Sequence, residues 1–284
     1  MILQEKYVLS NGVEIPKLGL GTWFISDDTV ADVVKEAVKI GYRHIDTAQA
    51  YQNERGVGEG VRNAAVSREE LFVTTKLAAE IKTYEEAVKS IDESLERMGL
   101  DYLDLMIIHS PKPWQEYQAE DRYFEGNKAA WKALEEAYQA GKLKAIGVSN
   151  FEKEDLENIM ESCTEPPMVN QVLAHISNTP TDLIEFCEQH QILVEAYSPI
   201  GHGELMKDKA VQDIAAKYSV SVPQLGIRYD IQLGLLPLPK TANPDHMKTN
   251  AALDFEISDE DMNTLKSMDR IDYGEASMFP VFAG

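Results

Sequence analysis

Four side chains able to donate, accept or orient a proton follow short apolar segments of this chain. Asp46 ends one such segment, Tyr51 lies five residues later, and Lys76 and His109 follow the next two. A carboxylate, a phenol, an ammonium group and an imidazole are the groups that general acid catalysis at a carbonyl oxygen requires. The sequence therefore predicts proton-transfer chemistry if the fold brings these four residues together.

Apolar strand-like segments alternate with amphipathic helical segments along most of the chain. Eight strand–helix units in this order predict an α/β protein with a (β/α)8 TIM barrel, forming a single domain over residues 1–284. A doubly wound open sheet is the structural alternative. Asn11-Gly12 predicts an N-terminal β-hairpin, and Ser258 with Asp261 predicts an extra C-terminal helix before an irregular tail.

The predicted barrel would bring the four proton-handling residues to one end of the fold. Active sites of such barrels lie at the carboxyl ends of the strands, where Asp46, Lys76 and His109 are expected, with Tyr51 in the loop above. Taken singly, they have ordinary structural interpretations: an ion pair, a core histidine and a surface aromatic residue. Their coincidence at one end favours an active site.

A glycine-rich segment, Gly56-Val57-Gly58-Glu59-Gly60, is superficially similar to a dinucleotide-binding loop. That motif requires a strand directly before it and two residues between its second and third glycines, whereas only one residue separates Gly58 from Gly60. The preceding residues here are polar, so the segment predicts the start of a helix instead.

Composition excludes several classes of function. The chain has 48 acidic and 27 basic residues, and its formal net charge of −21 opposes binding to nucleic acid or to anionic membranes. It has neither a recognisable signal sequence nor an apolar run near the ~18 residues of a membrane span, so a cytoplasmic protein is expected. Cys163 and Cys187 are expected to be buried thiols, and their spacing from histidines predicts no metal site.

Three long segments occur in the order typical of one family. They are Gly41 to Ala48 with Glu54 and Gly58 downstream, Lys144 to Phe151, and Leu238 to Thr241. On these motifs the chain resembles the aldo-keto reductases over nearly its whole length. The pattern is most similar to bacterial and yeast enzymes that reduce sugars, diketogluconate and simple aldehydes.

The resemblance implies an NAD(P)H-dependent oxidoreductase that reduces aldehydes and ketones, among them sugar, keto-acid or xenobiotic carbonyls, to alcohols. Tyr51 would be the general acid, and Lys76 would lower the pKa of its phenol. Asp46 would hold Lys76 charged and oriented, and His109 would orient the substrate carbonyl. Hydride would come from a nicotinamide, because no side chain can supply it.

The resemblance also implies a binding site for NADP(H). Amide and hydroxyl groups would bind the carboxamide, Tyr197 would stack on the nicotinamide ring, and the start of the last barrel helix would bind phosphate. The cofactor-binding residues implied are Gly21, Thr22, Trp23, Ser149, Asn150, Gln171, Tyr197, Ser198, Lys240, Thr241, Asn243, His246 and Asn250.

Two positions near the adenine depart from the family pattern. His246 stands where the family usually has arginine, and Thr249 stands where an acidic residue is frequent. Histidine is mostly neutral at pH 7, whereas a guanidinium is always charged and binds phosphate bidentately. Lys240 and Lys248 remain as sources of positive charge. The expectation is NADP(H) preference with loosened discrimination against NAD(H).

The substrate pocket departs from the family pattern as well. Many relatives have tryptophan directly after the catalytic histidine, whereas this chain has serine there and a tryptophan four residues on. A wider or more polar pocket is therefore expected, with specificity set by residues 111–125, residues 202–203 and the C-terminal tail. The pocket residues predicted are Trp23, Tyr51, His109, Ser110 and Trp114.

Two other functions remain open on sequence. One is a non-catalytic member of the same fold that binds a nucleotide in a regulatory or structural role. The other is a lyase or isomerase that uses Lys76 as a Schiff base. In the favoured interpretation the partner is a small-molecule carbonyl substrate, and the protein is expected to be a monomer.

Overall fold

Eight parallel strands form one sheet that curves round into a barrel in the computed structural model, which describes residues 1–283. Neighbouring strands in the sheet are also neighbours in sequence, from the first to the last. The barrel strands are β3 (Leu20–Gly21), β4 (His44–Asp46), β5 (Phe72–Leu77), β6 (Leu105–Ile108), β7 (Ile146–Ser149), β8 (Val169–Leu173), β9 (Leu193–Tyr197) and β10 (Leu236–Leu238).

The first and last strands meet, which closes the barrel. Gly21 forms a parallel bridge with Lys240, and its amide donates to the carbonyl of Pro239 at 3.1 Å. A doubly wound sheet would instead reverse its strand order partway across. The predicted (β/α)8 barrel is therefore confirmed, and the open-sheet alternative is excluded.

Within residues 1–283, ten α-helices follow the order that the sequence pattern predicts. They are α1 (Asp27–Ile40), α2 (Glu54–Arg62), α3 (Tyr84–Met98), α4 (Phe124–Gln139), α5 (Lys153–Met160), α6 (Thr181–Gln189), α7 (Lys209–Lys217), α8 (Val222–Gln232), α9 (Pro244–Ala251) and α10 (Asp259–Lys266). Local signals set their ends. Thr83 caps the start of α3, and Gly99 ends it in the left-handed region with a φ of 63°.

The predicted hairpin closes the end of the barrel opposite the predicted site. Strands β1 (Lys6–Val8) and β2 (Glu14–Pro16) pair antiparallel around a turn in which Gly12 has a φ of 85°. Asn11 donates to the carbonyl of Lys144 at 2.9 Å, just before β7. The hairpin thus covers the amino ends of the strands and leaves their carboxyl ends open.

The glycine-rich segment lies inside α2 and serves packing. A Cβ atom on Gly56 would collide with the carbonyl oxygen of Asp27, and one on Gly58 would collide with the backbone of Met98. The glycines therefore allow α2 to approach α1 and the end of α3 closely. Within residues 1–283, no helix is long and apolar enough to cross a membrane.

Candidate active site

Tyr51, Lys76 and Asp46 form one hydrogen-bonded row at the carboxyl end of the barrel. Asp46 ends β4, and Lys76 lies on the adjacent strand β5. The ammonium group of Lys76 donates to Asp46 Oδ1 at 2.6 Å, to the carbonyl of Thr47 at 2.8 Å and to the Tyr51 hydroxyl at 3.3 Å. All three N–H bonds of the ammonium are therefore directed at oxygen atoms, and one of these is the phenol.

Burial and charge set the protonation of this row. Burial alone would lower the pKa of Lys76, but Asp46 and Tyr51 together raise it above its ordinary value, so the ammonium stays charged. Burial raises the pKa of Tyr51 by more than Lys76 lowers it. The predicted lowering by Lys76 is thus present but outweighed. The phenol is protonated at neutral pH and available as a proton donor.

His109 stands beside the phenol as a neutral imidazole. Burial, with a smaller effect of Lys76, lowers the pKa of His109 well below its ordinary range. Its Nδ1 is enclosed without a hydrogen-bond partner among the described residues. Because a buried N–H without an acceptor is poorly tolerated, we assign the ring proton to Nε2. Trp114 packs edge-on to the ring at 5.1 Å between centroids and fixes its plane.

A second polar group continues round the barrel from His109. Asn150 donates to the carbonyl of His109 at 3.1 Å and to the Ser149 hydroxyl at 3.0 Å, and it accepts from the Tyr197 hydroxyl at 2.7 Å. Gln171, on β8, accepts from the Ser149 hydroxyl through its backbone carbonyl at 2.8 Å and donates from its side chain to Asp46 Oδ2 at 3.0 Å. These contacts join the second group to the ion pair, so both belong to one network.

These residues surround a cavity of about 580 Å³ at the mouth of the barrel. Asn150 and Ser198 both line it with left-handed backbone, at φ values of 60° and 53°. Such strained conformations are common at functional sites. The predicted site residues that line the cavity are Gly21, Thr22, Trp23, Asp46, Tyr51, His109, Trp114, Ser149, Asn150, Gln171, Tyr197, Ser198 and Lys240.

Several predicted residues do not line this cavity. Lys76 is fully buried behind Tyr51, which its role through the phenol allows. Ser110 is also fully buried, and its hydroxyl accepts from the backbone amide of Lys112 at 3.2 Å. Ser110 therefore does not form part of the cavity wall, and Trp114 supplies an aromatic wall from the following loop. The remaining predicted residues, around α9, are Thr241, Asn243, His246 and Asn250.

The start of α9 shows how little positive charge is free near the predicted adenine end. Asn243 caps the helix by accepting from the amide of Asp245 at 2.9 Å. The carboxylate of Asp245 lies 3.4 Å from the ammonium of Lys248 and neutralises part of its charge. His246 is exposed on the same turn. Lys240, also exposed, has no ion-pair partner within residues 1–283.

The C-terminal tail and residues 202–203, which the sequence predicts to set specificity, contribute walls of the cavity. His202, with a φ of 54°, contacts the ring of Trp23 at 5.4 Å and that of Phe282 at 4.6 Å between centroids. Phe279 packs edge-on to Trp23 at 5.1 Å. Exposed Phe24 stacks on Trp23 at the rim. The sequence predicts these two segments as determinants of specificity, but it does not predict which of their residues contact Trp23.

One further buried group escaped the sequence reasoning altogether. Glu195, on β9, is fully buried and accepts from Gln171 Nε2 at 2.7 Å. In the sequence it is an ordinary polar residue within an apolar strand, and no motif marks it.

Within the part of the chain that the structure describes, no cluster of side chains is suited to holding a metal ion.

Comparison with known proteins identifies the family of this site. The model of the Aldo/keto reductase family matches residues 17–270. The chain belongs to the aldo/keto reductase family. A glyoxal reductase of Bacillus subtilis is 41% identical over 270 residues, which cover 94% of each chain.

Solved structures of other members superpose closely on this barrel. An aldo/keto reductase from Brucella melitensis gives a TM-score of 0.88 at 36% identity, covering 95% of this chain and 99% of that one. An aldo-keto reductase solved in complex with NADPH gives a TM-score of 0.84 at 33% identity, covering 94% and 88%. Membership confirms the predicted class, an NAD(P)H-dependent oxidoreductase with NADP(H) as cofactor.

Proposed function

We propose that this aldo/keto reductase transfers hydride from NADPH to the carbonyl carbon of small uncharged aldehydes and ketones, with Tyr51 as the proton donor. The observation that supports this most directly is the position of the Tyr51 hydroxyl. It lies at the cavity wall, 3.3 Å from a fully buried ammonium group, and next to a neutral histidine. A protonated phenol in this place can protonate a carbonyl oxygen as hydride reaches the carbon.

The three residues of the row and the neighbouring His109 each have a distinct part in this mechanism. Tyr51 gives its proton to the carbonyl oxygen. Lys76 stabilises the resulting phenolate through its hydrogen bond and charge, and Asp46 holds Lys76 in place. His109 donates from Nε2 to the same carbonyl oxygen and orients it. Burial strengthens these interactions, because charges interact more strongly where water is excluded.

The residues present fit a nicotinamide cofactor, which supplies the hydride when bound. Both N–H bonds of the Gln171 amide are engaged by carboxyl groups, so its carbonyl oxygen is the amide atom left to accept from a carboxamide. Tyr197 lines the same cavity with its ring, where it can stack. The amide groups at the start of α9 and the ammonium of Lys240 would hold phosphate.

A Schiff-base mechanism through Lys76 is not favoured by this geometry. A nucleophilic lysine needs a neutral amine with access to substrate. Lys76 is fully buried, bonded to three oxygens and kept charged by Asp46. A purely structural or regulatory role would not require a protonated phenol at the cavity wall, so catalysis is the function that the site supports best.

The cavity wall suggests the substrate class. Aromatic rings form much of it, and within residues 1–283 its charged side chains other than histidine are Asp46 and Lys240. Neither is placed to bind a carboxylate next to the reacting carbonyl, since Asp46 repels it and Lys240 is proposed to serve the cofactor. Uncharged aldehydes, including dicarbonyls such as glyoxal, should therefore be preferred over keto acids.

The assay follows loss of NADPH absorbance with glyoxal, an aromatic aldehyde and a 2-keto acid offered in parallel. The proposal expects turnover of both aldehydes and a lower kcat/KM for the keto acid. Failure of every aldehyde, while protein fluorescence still reports NADPH binding, would support the non-catalytic role instead.

We further propose that the protein is a cytoplasmic monomer. Light scattering coupled to gel filtration tests the oligomeric state.

Cofactor choice should be less strict than in relatives with arginine at this position. His246 is exposed and Asp245 offsets Lys248, so little fixed charge faces a 2′-phosphate. Replacing His246 with arginine should raise the ratio of kcat/KM for NADPH over NADH by about tenfold, because a charge-assisted hydrogen bond contributes about 1.5–3 kcal/mol. Steady-state kinetics with both cofactors measure the ratio.

The matched control is His190→Arg, which adds the same guanidinium at another exposed histidine and should leave the ratio unchanged. A wild-type advantage for NADPH above about 1,000-fold, equivalent to about 4 kcal/mol, would show that discrimination is not loosened.

A further inference from the structure

A second carboxyl group, besides Asp46, lies within the hydrogen-bonded network without a part in the mechanism above. Glu195 is fully buried on β9, directly opposite Gln171 in the register of β8 and β9. Its Oε2 accepts from Gln171 Nε2 at 2.7 Å, and its Oε1 has no partner among the described residues. A buried carboxyl group is costly, so its position next to a cavity-lining amide calls for an explanation.

Gln171 joins this carboxyl group to the proposed proton donor. Its Nε2 donates to Asp46 Oδ2 at 3.0 Å as well as to Glu195, and Asp46 Oδ1 accepts from Lys76. Lys76 in turn reaches the hydroxyl of Tyr51. A continuous row of hydrogen bonds therefore runs across the barrel from the phenol to Glu195, and its one amide side chain is Gln171.

The two carboxyl groups together fix which way the amide points. The Gln171 side chain has two N–H bonds, and Asp46 and Glu195 each accept one of them. The two acceptors therefore hold the amide nitrogen towards themselves. The amide oxygen accepts no hydrogen bond from a described residue, and Gln171 lines the cavity. If Glu195 were absent, one buried N–H of Gln171 would lose its acceptor, and other rotamers of the Gln171 side chain would compete.

The protonation state of Glu195 is also compatible with its buried position. Burial, with a further effect of Asp46, raises the pKa of Glu195 to about 8, and the hydrogen bond from Gln171 and the charge of Lys76 oppose this rise. The flanking strands β8 and β10 contribute no titratable side chain. When Glu195 is protonated, it adds no negative charge beside the ion pair of Lys76 and Asp46, whose own net charge is zero. Its carbonyl oxygen can still accept from Gln171.

We propose that Glu195 is a positioning residue that holds the Gln171 amide so that its oxygen faces the carboxamide of the bound nicotinamide. This inference rests on the proposed function, because it assumes that NADPH occupies the cavity. Glu195 itself touches neither cofactor nor substrate. It acts through Gln171, and its contribution should appear in cofactor affinity.

Binding of NADPH to wild-type protein and to two variants tests this, with quenching of tryptophan fluorescence as the readout. Glu195→Met keeps a similar shape without the acceptor, and should raise the Kd about tenfold, equal to about 1.4 kcal/mol. Glu195→Gln keeps an amide oxygen for Gln171 to donate to, and should stay within about twofold of wild type. Thermal melts establish that each variant is folded, and Glu195→Ala replaces Glu195→Met if that variant is not.

Asp230→Leu is the matched control for removing a buried carboxyl group. Asp230 is fully buried on α8, with neither oxygen bonded to a described residue, and it does not line the cavity. Its substitution should leave the Kd for NADPH unchanged. A similar loss of affinity in this variant would assign the effect to general destabilisation and would overturn the proposal.

A double variant separates positioning from a direct effect. In a Gln171→Met background, adding Glu195→Met should not raise the Kd further, because the amide through which Glu195 acts is gone. An unchanged Kd in Glu195→Met, or additive losses in the double variant, would overturn the role of Glu195. Absence of NADPH binding by the wild-type protein would instead contradict the proposed function, so the two failures are distinguishable.

Discussion

Replacing Tyr51 with phenylalanine should abolish carbonyl reduction and leave the fold and NADPH binding intact. The substitution removes the hydroxyl that would donate the proton, while the ring keeps its place beside His109. General acid catalysis contributes about 10²–10⁴-fold to rate, so kcat should fall by at least about a hundredfold. Measurements of kcat at saturating NADPH, of the Kd for NADPH and of the melting temperature separate these effects.

Tyr117→Phe is the control, because Tyr117 stacks on Trp114 near the site but does not contact Lys76. It should keep kcat within about threefold of wild type, since it removes a hydroxyl that takes no part in proton transfer. If Tyr51→Phe retained comparable turnover, the proton would have another source, and His109 would be the next candidate.

Replacing Lys76 with methionine should remove both activity and stability. The phenolate of Tyr51 would lose the positive charge that stabilises it. Asp46 would become a buried carboxylate without a cation, because its Oδ1 now lies 2.6 Å from the ammonium of Lys76. Breaking one side of a buried ion pair typically costs about 3–5 kcal/mol. The free energy of unfolding from urea titration and kcat with glyoxal measure the two losses.

A second substitution distinguishes the two effects. Asp46→Asn combined with Lys76→Met removes the orphaned charge, so the double variant should recover much of the stability but none of the activity. The control is Lys35→Met, which breaks an exposed pair with Asp32 and should leave the free energy of unfolding nearly unchanged, because solvent screens such a pair. Wild-type turnover in Lys76→Met would show that the buried ammonium is structural only.

The barrel, and the meeting of Asp46, Tyr51, Lys76 and His109 at one end of it, could be predicted from the sequence because both depend on local pattern. Asp46, Lys76 and His109 come at or next to the ends of successive strands, and a parallel barrel places such positions at one rim whatever the loops do. Tyr51 follows within one short turn. Their meeting is thus a consequence of strand order, which apolar periodicity reveals.

The rest of the site depends on contacts between distant segments, which no local pattern specifies. Glu195 becomes part of the site only through its hydrogen bond from Gln171 on the neighbouring strand. His202 becomes part of the cavity wall through its contact with Phe282 in the tail. Ser110 was expected in the pocket from its position after His109, yet its side chain turns into the protein. Side-chain direction at a strand end is set by packing, and sequence alone does not record it.

The most direct test of the central claim is to trace the hydride and the proton donor together. NADPH with both hydrogens of its hydride-donating carbon replaced by deuterium is mixed with the protein and an aromatic aldehyde, and the alcohol is analysed by mass spectrometry. We expect wild-type protein to give an alcohol with deuterium on the former carbonyl carbon, and Tyr51→Phe to give almost none. Alcohol without deuterium, or an equal yield from the variant, would contradict hydride transfer assisted by Tyr51.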